Sequence, residues 1–248
     1  MQCLRSLSRA SLVVLAELTE QAERYDDMVH IMRTLVTTHP LPLSTPEINL
    51  LTTAYKHVID RIRIAVRVVH AIDLQSSPKH TLGECTKLYE RELELEYQRV
   101  CLEMLSLLEK YLLPSAQSSD CDTVCFLKTQ GDYHRYLAEL RGGSSDLQHI
   151  DRGRSSYSKA YALAKTCMTT THAFRLGLAL NYSVFVYEVL QEPQVAYDLA
   201  KDALDGAHMD FDETSPDASS DHVRETTLTL QLLQSNLQLW IANGNVTP

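Results

Sequence analysis

The sequence predicts an all-α fold, an array of antiparallel helices, and three observations carry that prediction. Eight glycines and eight prolines in 248 residues are about half the share usual in globular chains, so tight turns are scarce. No run of four to eight alternating β-branched residues lies between hairpin-forming turns, which argues against a sandwich or barrel. Apolar residues recur instead at helical spacing, as in Leu88, Tyr89, Leu93, Leu95, Val100, Leu105 and Leu108.

Turn chemistry divides the chain into helical segments. Arg5 and Arg9 precede the apolar stretch Leu12–Ala16, which falls short of the ~7–15 residue core of a signal peptide. A first break is expected at Thr37 to Thr45. Ser44-Thr45-Pro46-Glu47 then has the form of a capping box, with proline where a first turn tolerates it. The helix it opens runs to about Leu74, ahead of a break around Ser76-Ser77-Pro78. A second long helix spans Thr81 to Leu113. Further breaks fall at Pro114 to Asp120, Gly142-Gly143-Ser144-Ser145, Thr169-Thr170-Thr171, Glu192-Pro193 and the acidic stretch Asp210 to Asp221. Residues 1–242 are expected to form one helical domain and 243–248 a short disordered tail.

Composition narrows the function classes. Hydrophobic residues make up 44% and charged residues 22%, the balance of a folded chain, and no apolar run reaches the ~20 residues of a membrane span. A net charge of −9 disfavours nucleic acid and anionic membranes as partners, so any anion site must come from local clustering. The six cysteines (Cys3, Cys85, Cys101, Cys121, Cys125, Cys167) are scattered. Cys121 and Cys125 stand one helical turn apart with no second ligand pair at zinc spacing, and free thiols in a reducing cytoplasm are the expected state. There is no Gly-rich phosphate loop, no His-Glu-x-x-His and no Gly-x-Ser-x-Gly turn. Glu92, Glu94 and Glu96 read as a solvated helix face. Neither an enzymatic activity nor a metal or cofactor is expected.

One feature runs against the acidic bulk. Lys56, Arg63 and Arg67 are spaced seven and four residues apart, so at ~100° per residue they fall within about 40° on one helix face. Such a stripe is either a local anion site or an ion-paired surface. The segment Gly131-Asp132-Tyr133-His134-Arg135-Tyr136 offers another guanidinium beside a phenol. Leu180, Val184, Tyr187 and Glu188, and then Leu232, Asn236, Leu239 and Trp240, recur at helical spacing. Such stripes ordinarily pack a core, but the amides of Asn181 and Asn236 on such faces want hydrogen-bond partners.

Five blocks in order resemble the 14-3-3 family: Ala22 to Met28, Asn49 to Lys56, Gly131 to Leu140, Arg175 to Phe185 and Gln231 to Trp240. The resemblance extends from about Leu15 to Trp240. It implies about nine antiparallel helices forming a concave groove that binds phosphoserine or phosphothreonine peptides, usually in a dimer. By position it assigns Lys56, Arg63, Arg135 and Tyr136 to the phosphate. Asn181 and Asn236 match the amides that bind the peptide main chain, and Leu180, Val184, Leu232 and Leu239 the apolar wall. Lys128, Glu188 and Trp240 also match groove positions. Arg24, Asp27, Tyr89, Glu92 and Glu96 match the dimer interface.

Departures from the family pattern shape the expectation. His57, Asp60, Ile62 and Val66 stand where the family has Asn, Gly, Arg and Trp. Asp60 lies four residues from Lys56 and three from Arg63, close enough to pair with them and weaken phosphate binding. Arg24 and Glu96 match an inter-subunit ion pair, but Asp27 would face Glu92 where the family usually has a lysine, which disfavours the homodimer or favours a paralogue carrying that lysine. Ala65 replaces a serine at which some members are phosphorylated. The expected function is that of a cytoplasmic adaptor binding phosphorylated proteins. The alternative is a divergent structural or heterodimer subunit that binds phosphopeptide weakly or not at all.

Overall fold

The computed structural model describes residues 2–75, 81–116, 119–140, 147–210, 220–244 and 246. Among them are nine α-helices of thirteen residues or more and no strand, which agrees with the expected all-α architecture. They are α1 (Arg9–Gln21), α2 (Tyr25–Thr38), α3 (Thr45–Gln75), α4 (Thr81–Leu107), α5 (Asp120–Leu140), α6 (Leu147–Cys167), α7 (Ala173–Glu188), α8 (Pro193–Asp210) and α9 (Ser220–Ala242). None is long and apolar enough to cross a membrane. The expected breaks at Ser76 to Pro78 and Gly142 to Ser145, and most of that from Asp210 to Asp221, lie outside the described residues, as do 245, 247 and 248 of the expected tail. Asn243 and Gly244 form a turn after α9.

The chain groups into two units, Met1–Ala116 and Gln117–Pro248. In the first, α1 packs on α2 and α3, α2 on α3, and α3 on α4. α2 shows why these segments are helical: Met28, Ile31, Met32, Leu35 and Val36 are buried, the i, i+3, i+4, i+7, i+8 stripe of an amphipathic helix. They share the core with Leu51, Tyr55, Ile59, Met104 and Leu108. The buried Tyr55 hydroxyl is paired: it donates to Glu103 at 2.6 Å, and Arg33 donates to the other oxygen of the same carboxylate at 2.8 Å. In the second unit α5 packs on α6, α6 on α7, α7 on α8, and α9 on both α7 and α8. Its core joins Val124, Tyr157, Leu176, Phe185, Leu233, Leu237 and Trp240 to Ala160, Ala164, Ala196 and Ala200, whose small side chains let helices approach closely. Gly131 is part of that fit, because a Cβ there would come within 2.8 Å of the Tyr157 ring.

Two helix reversals are made without glycine. Glu23 (φ 54°) and Gln191 (φ 56°) take the left-handed conformation that ends helices α1 and α7. The second long helix also outlasts its expected end at Leu113. It passes through a π turn at Leu108–Leu112 into one further α turn, Leu113–Ser115. Pro114 has no N–H to lose there, because it sits at the start of that turn, where the hydrogen-bond register changes.

The capping box at α3 forms from its glutamate side. The Ser44 N–H and hydroxyl both donate to Glu47 Oε2, at 2.7 and 2.8 Å. Arg9 of α1 grips the same carboxylate, with Nε 2.7 Å from Oε1 and Nη2 2.5 Å from Oε2. It also donates to the carbonyls of Pro40 and Pro42, at 2.7 and 3.0 Å. The Arg9 hydrogen bonds, opposed by burial and aided by Ser44, hold the Glu47 carboxyl at about 2 instead of the ordinary 4.5. A depressed carboxyl contributes stability that is present above pH 4.5 and lost as pH falls toward 2. Arg9→Met is therefore expected to lower stability at pH 7 by about 1–3 kcal/mol and to flatten the loss of stability across that window, measured by urea unfolding as a function of pH.

Candidate functional site

In the second unit the expected ligand residues converge on a carboxylate that the sequence did not single out. Lys128, Asp132, Arg135 and Glu139 are spaced i, i+4, i+7 and i+11 on α5, one helix face. Asp132 is buried. It accepts from Lys128 Nζ at 2.7 Å, the Tyr157 hydroxyl at 2.5 Å and Asn181 Nδ2 at 2.9 Å, and Arg135 Nη2 lies 3.7 Å away. Burial by itself would push the Asp132 carboxyl up, but the charges of Lys128 and Arg135 and the hydrogen bonds from Lys128 and Tyr157 hold it below the ordinary range. The Tyr157 phenol is pushed well up, by burial first and by Asp132 second.

Arg135 is held from several sides. Its Nη1 donates to Glu139 at 2.7 Å, its Nε donates to the Tyr157 hydroxyl at 3.3 Å, and the guanidinium lies 4.7 Å from the centre of the Tyr136 ring. The half-buried Tyr136 packs edge-on against Tyr133. Three residues of the expected site, Lys128, Arg135 and Asn181, are thus drawn together by a fourth. The sequence signal for Asp132 was its place in that four-residue spacing, which an ordinary solvated helix face shares.

The apolar positions divide. Leu180 and Val184 of α7 are half-buried against the core, and Glu188 is exposed at the end of that helix. On α9, Leu232 and Leu239 are 46% and 56% exposed, with half-buried Asn236 between them, so this stripe faces solvent and is not core packing. Trp240 is different. It is 3% exposed and stacks on Tyr187, with ring centroids 4.7 Å apart.

In the first unit, Lys56 and Arg67 of α3 are exposed and Arg63 is half-buried. Among the described residues no ion pair joins Asp60 to Lys56, so that part of the expected competition is not present. Ile62 is buried, and His57 stacks flat on Tyr25 at 3.9 Å. Of the expected interface charges, Arg24, Asp27 and Glu96 meet opposite charges within the chain. Arg24 pairs with Asp27 at 2.7 Å; Arg61 pairs with Asp26 and lies 4.0 Å from Glu96. Tyr89, Glu92 and Glu96 line a shallow cleft on α4 with Leu93, Leu95 and Arg99.

Removing the Asp132 charge leaves two cations facing each other, so Asp132→Asn is expected to destabilise the protein by about 2–4 kcal/mol. Glu139→Gln, at a partly exposed ion pair, is expected to cost less than about 1 kcal/mol. Urea unfolding of both variants checks the difference.

Comparison with known proteins gives the frame for these residues. The family profile described as 14-3-3 protein matches residues 15–241. Human 14-3-3 protein theta is 40% identical over 238 residues, covering 96% of this chain and 95% of the relative. The Caenorhabditis elegans 14-3-3-like protein 2 is 40% identical over 236 residues, covering 95% and 93%. The Xenopus tropicalis 14-3-3 protein beta/alpha is 40% identical over 238 residues, covering 96% and 95%. A profile match across nearly all of the sequence, with relatives at this identity and coverage, shows that the chain belongs to the 14-3-3 family.

Proposed function

We propose that the protein is a phosphoserine- and phosphothreonine-peptide-binding adaptor that clamps, masks or bridges phosphorylated client proteins. Members of its family act generally as adaptors for phosphorylated proteins and form dimers. The observation that carries the reading for this chain is the gathering of Lys128, Arg135 and Asn181 around buried Asp132, in a unit that also presents the exposed Leu232 and Leu239. A phosphate of charge about −2 with three acceptor oxygens rewards fixed guanidinium and hydroxyl donors. Arg135 is already immobilised by Glu139 and Tyr157, so it loses little side-chain freedom on binding. Tyr136 supplies a hydroxyl, and the family resemblance assigns Lys56 and Arg63 to phosphate binding as well. Asn181, with Nδ2 turned to Asp132, presents Oδ1 as an acceptor for a peptide N–H. Asn236 serves as the second main-chain contact. Leu180, Val184, Leu232 and Leu239 form the apolar wall, with Glu188 and Trp240 beside it.

Calorimetry with an Arg-Ser-x-phosphoSer-x-Pro peptide, its unphosphorylated twin and the variant Lys56→Glu tests this. Binding at micromolar strength or better is expected, lost without the phosphate and weakened at least about tenfold in the variant. Lys56 is exposed, so its replacement leaves the fold intact. Equal binding of both peptides would overturn the reading.

The homodimer is weakened by its charges. Arg24, already neutralised by Asp27, is a poorer partner for Glu96 of a second copy, and Asp27 would meet Glu92 there as a like charge. Sedimentation is expected to show a homodimer that dissociates in the micromolar range and tightens in Asp27→Lys, and a paralogue with lysine at that position is expected to be preferred. A homodimer that stays intact at nanomolar concentration would count against this.

A further inference from the structure

Outside the phosphopeptide site, α5 and α6 carry two thiols at one end of their shared seam. These helices run antiparallel in a register set by three cross-helix contacts. The Ser156 hydroxyl donates to Gln130 Oε1 at 2.9 Å, Gly131 lies against the Tyr157 ring, and the Tyr157 hydroxyl donates to Asp132. Followed outward along both helices, the same register passes the fully buried pair Val124 and Ala164. One turn further it sets Cys121, in the first turn of α5, opposite Cys167, the last residue of α6. Both are free thiols, Cys121 exposed and Cys167 half-exposed. Burial and then the Cys121 thiol raise the pKa of Cys167, with Asp120 adding to the effect, in agreement with the placement that the register gives. The alternative partner for Cys121 is Cys125, one turn along α5. The two lie on one face of α5, where their Cα–Cβ directions run parallel and do not suit a disulfide.

We propose that Cys121 and Cys167 are a peroxide-sensitive dithiol that closes to an intramolecular disulfide and reopens with a thiol reductant. The more exposed Cys121 attacks hydrogen peroxide as its thiolate. An S–O bond forms, the O–O bond breaks, and hydroxide leaves to take up a proton as water. Cys167 then gives up its proton and attacks the sulfenic sulfur. The S–S bond forms, the S–O bond breaks, and a second water departs. The two thiols lose two electrons, and one peroxide is reduced to two waters. The bond staples the start of α5 to the end of α6, closing the hairpin that bears Lys128, Arg135 and Tyr136.

The test treats the purified full chain with a small excess of hydrogen peroxide, then maps its thiols and measures intact mass. The expected product has lost two hydrogen atoms, yields a Cys121–Cys167 linked peptide and returns to the starting mass with dithiothreitol. Closing this loop restricts the unfolded chain, so the melting temperature of the oxidised protein rises by about 5–10 °C. Cys121→Ser and Cys167→Ser each abolish the cross-link, and Cys125→Ser leaves it in place. A Cys121–Cys125 bridge, a disulfide between two copies, a stable gain of oxygen on Cys121, or unchanged thiols would each overturn the proposal. The wild-type peptide map decides the matter even where a variant folds poorly.

Discussion

A carboxylate removed from water is stable only where cations and hydrogen-bond donors replace its hydration, and Asp132 sets this condition for the second unit. Its partners come from three helices: Lys128 and Arg135 from α5, Tyr157 from α6 and Asn181 from α7. Three of the four side chains so fixed, Lys128, Arg135 and Asn181, are the ones the proposed function assigns to the ligand. Stability and preorganisation are therefore the same set of hydrogen bonds. The cost of burying one charge is offset by three helices agreeing on a register, and the close approach of Gly131 to Tyr157 makes that register sterically possible.

What could be read from the sequence was local. The Ser44 to Glu47 box joins groups three residues apart, so its chemistry is visible in a four-residue window; the Arg9 that completes it is 38 residues away and left no such trace. Helix extents followed from periodicity. The exposure of Leu232 and Leu239 did not, because a core stripe and a solvent-facing stripe share one period and differ only in what lies opposite. Spacing along the chain pairs Cys121 with Cys125 of its own helix, and only the packing of α5 on α6 brings Cys167 into question. Pro114 reads as a stop in the sequence, but a π turn just before it shifts the hydrogen-bond register and lets one more turn form. The family resemblance assigned residues to the proposed site. It gave no account of why Asp132 must be an acid.

Helix α3 shows how a chain of net charge −9 keeps cations available. Its inward face is committed to the core by Tyr55, Ile59 and Ile62, and the changed His57 is absorbed by stacking on Tyr25. Asp26 is occupied by Arg61, which takes it in two hydrogen bonds. Lys56 and Arg67 remain at the surface. Local pairing, more than total charge, sets the potential that an approaching anion meets.

The chain contains one tryptophan, and it is the residue of α9 that lies flat against Tyr187 of α7, the planes inclined by only 11°. All indole fluorescence therefore originates from a single, sheltered ring whose neighbour is an aromatic π-face. A shift of α9 against α7 changes both the stacking and the polarity around that ring. The protein carries its own optical gauge of how α9, with its exposed Leu232 and Leu239, sits on α7, readable without a label.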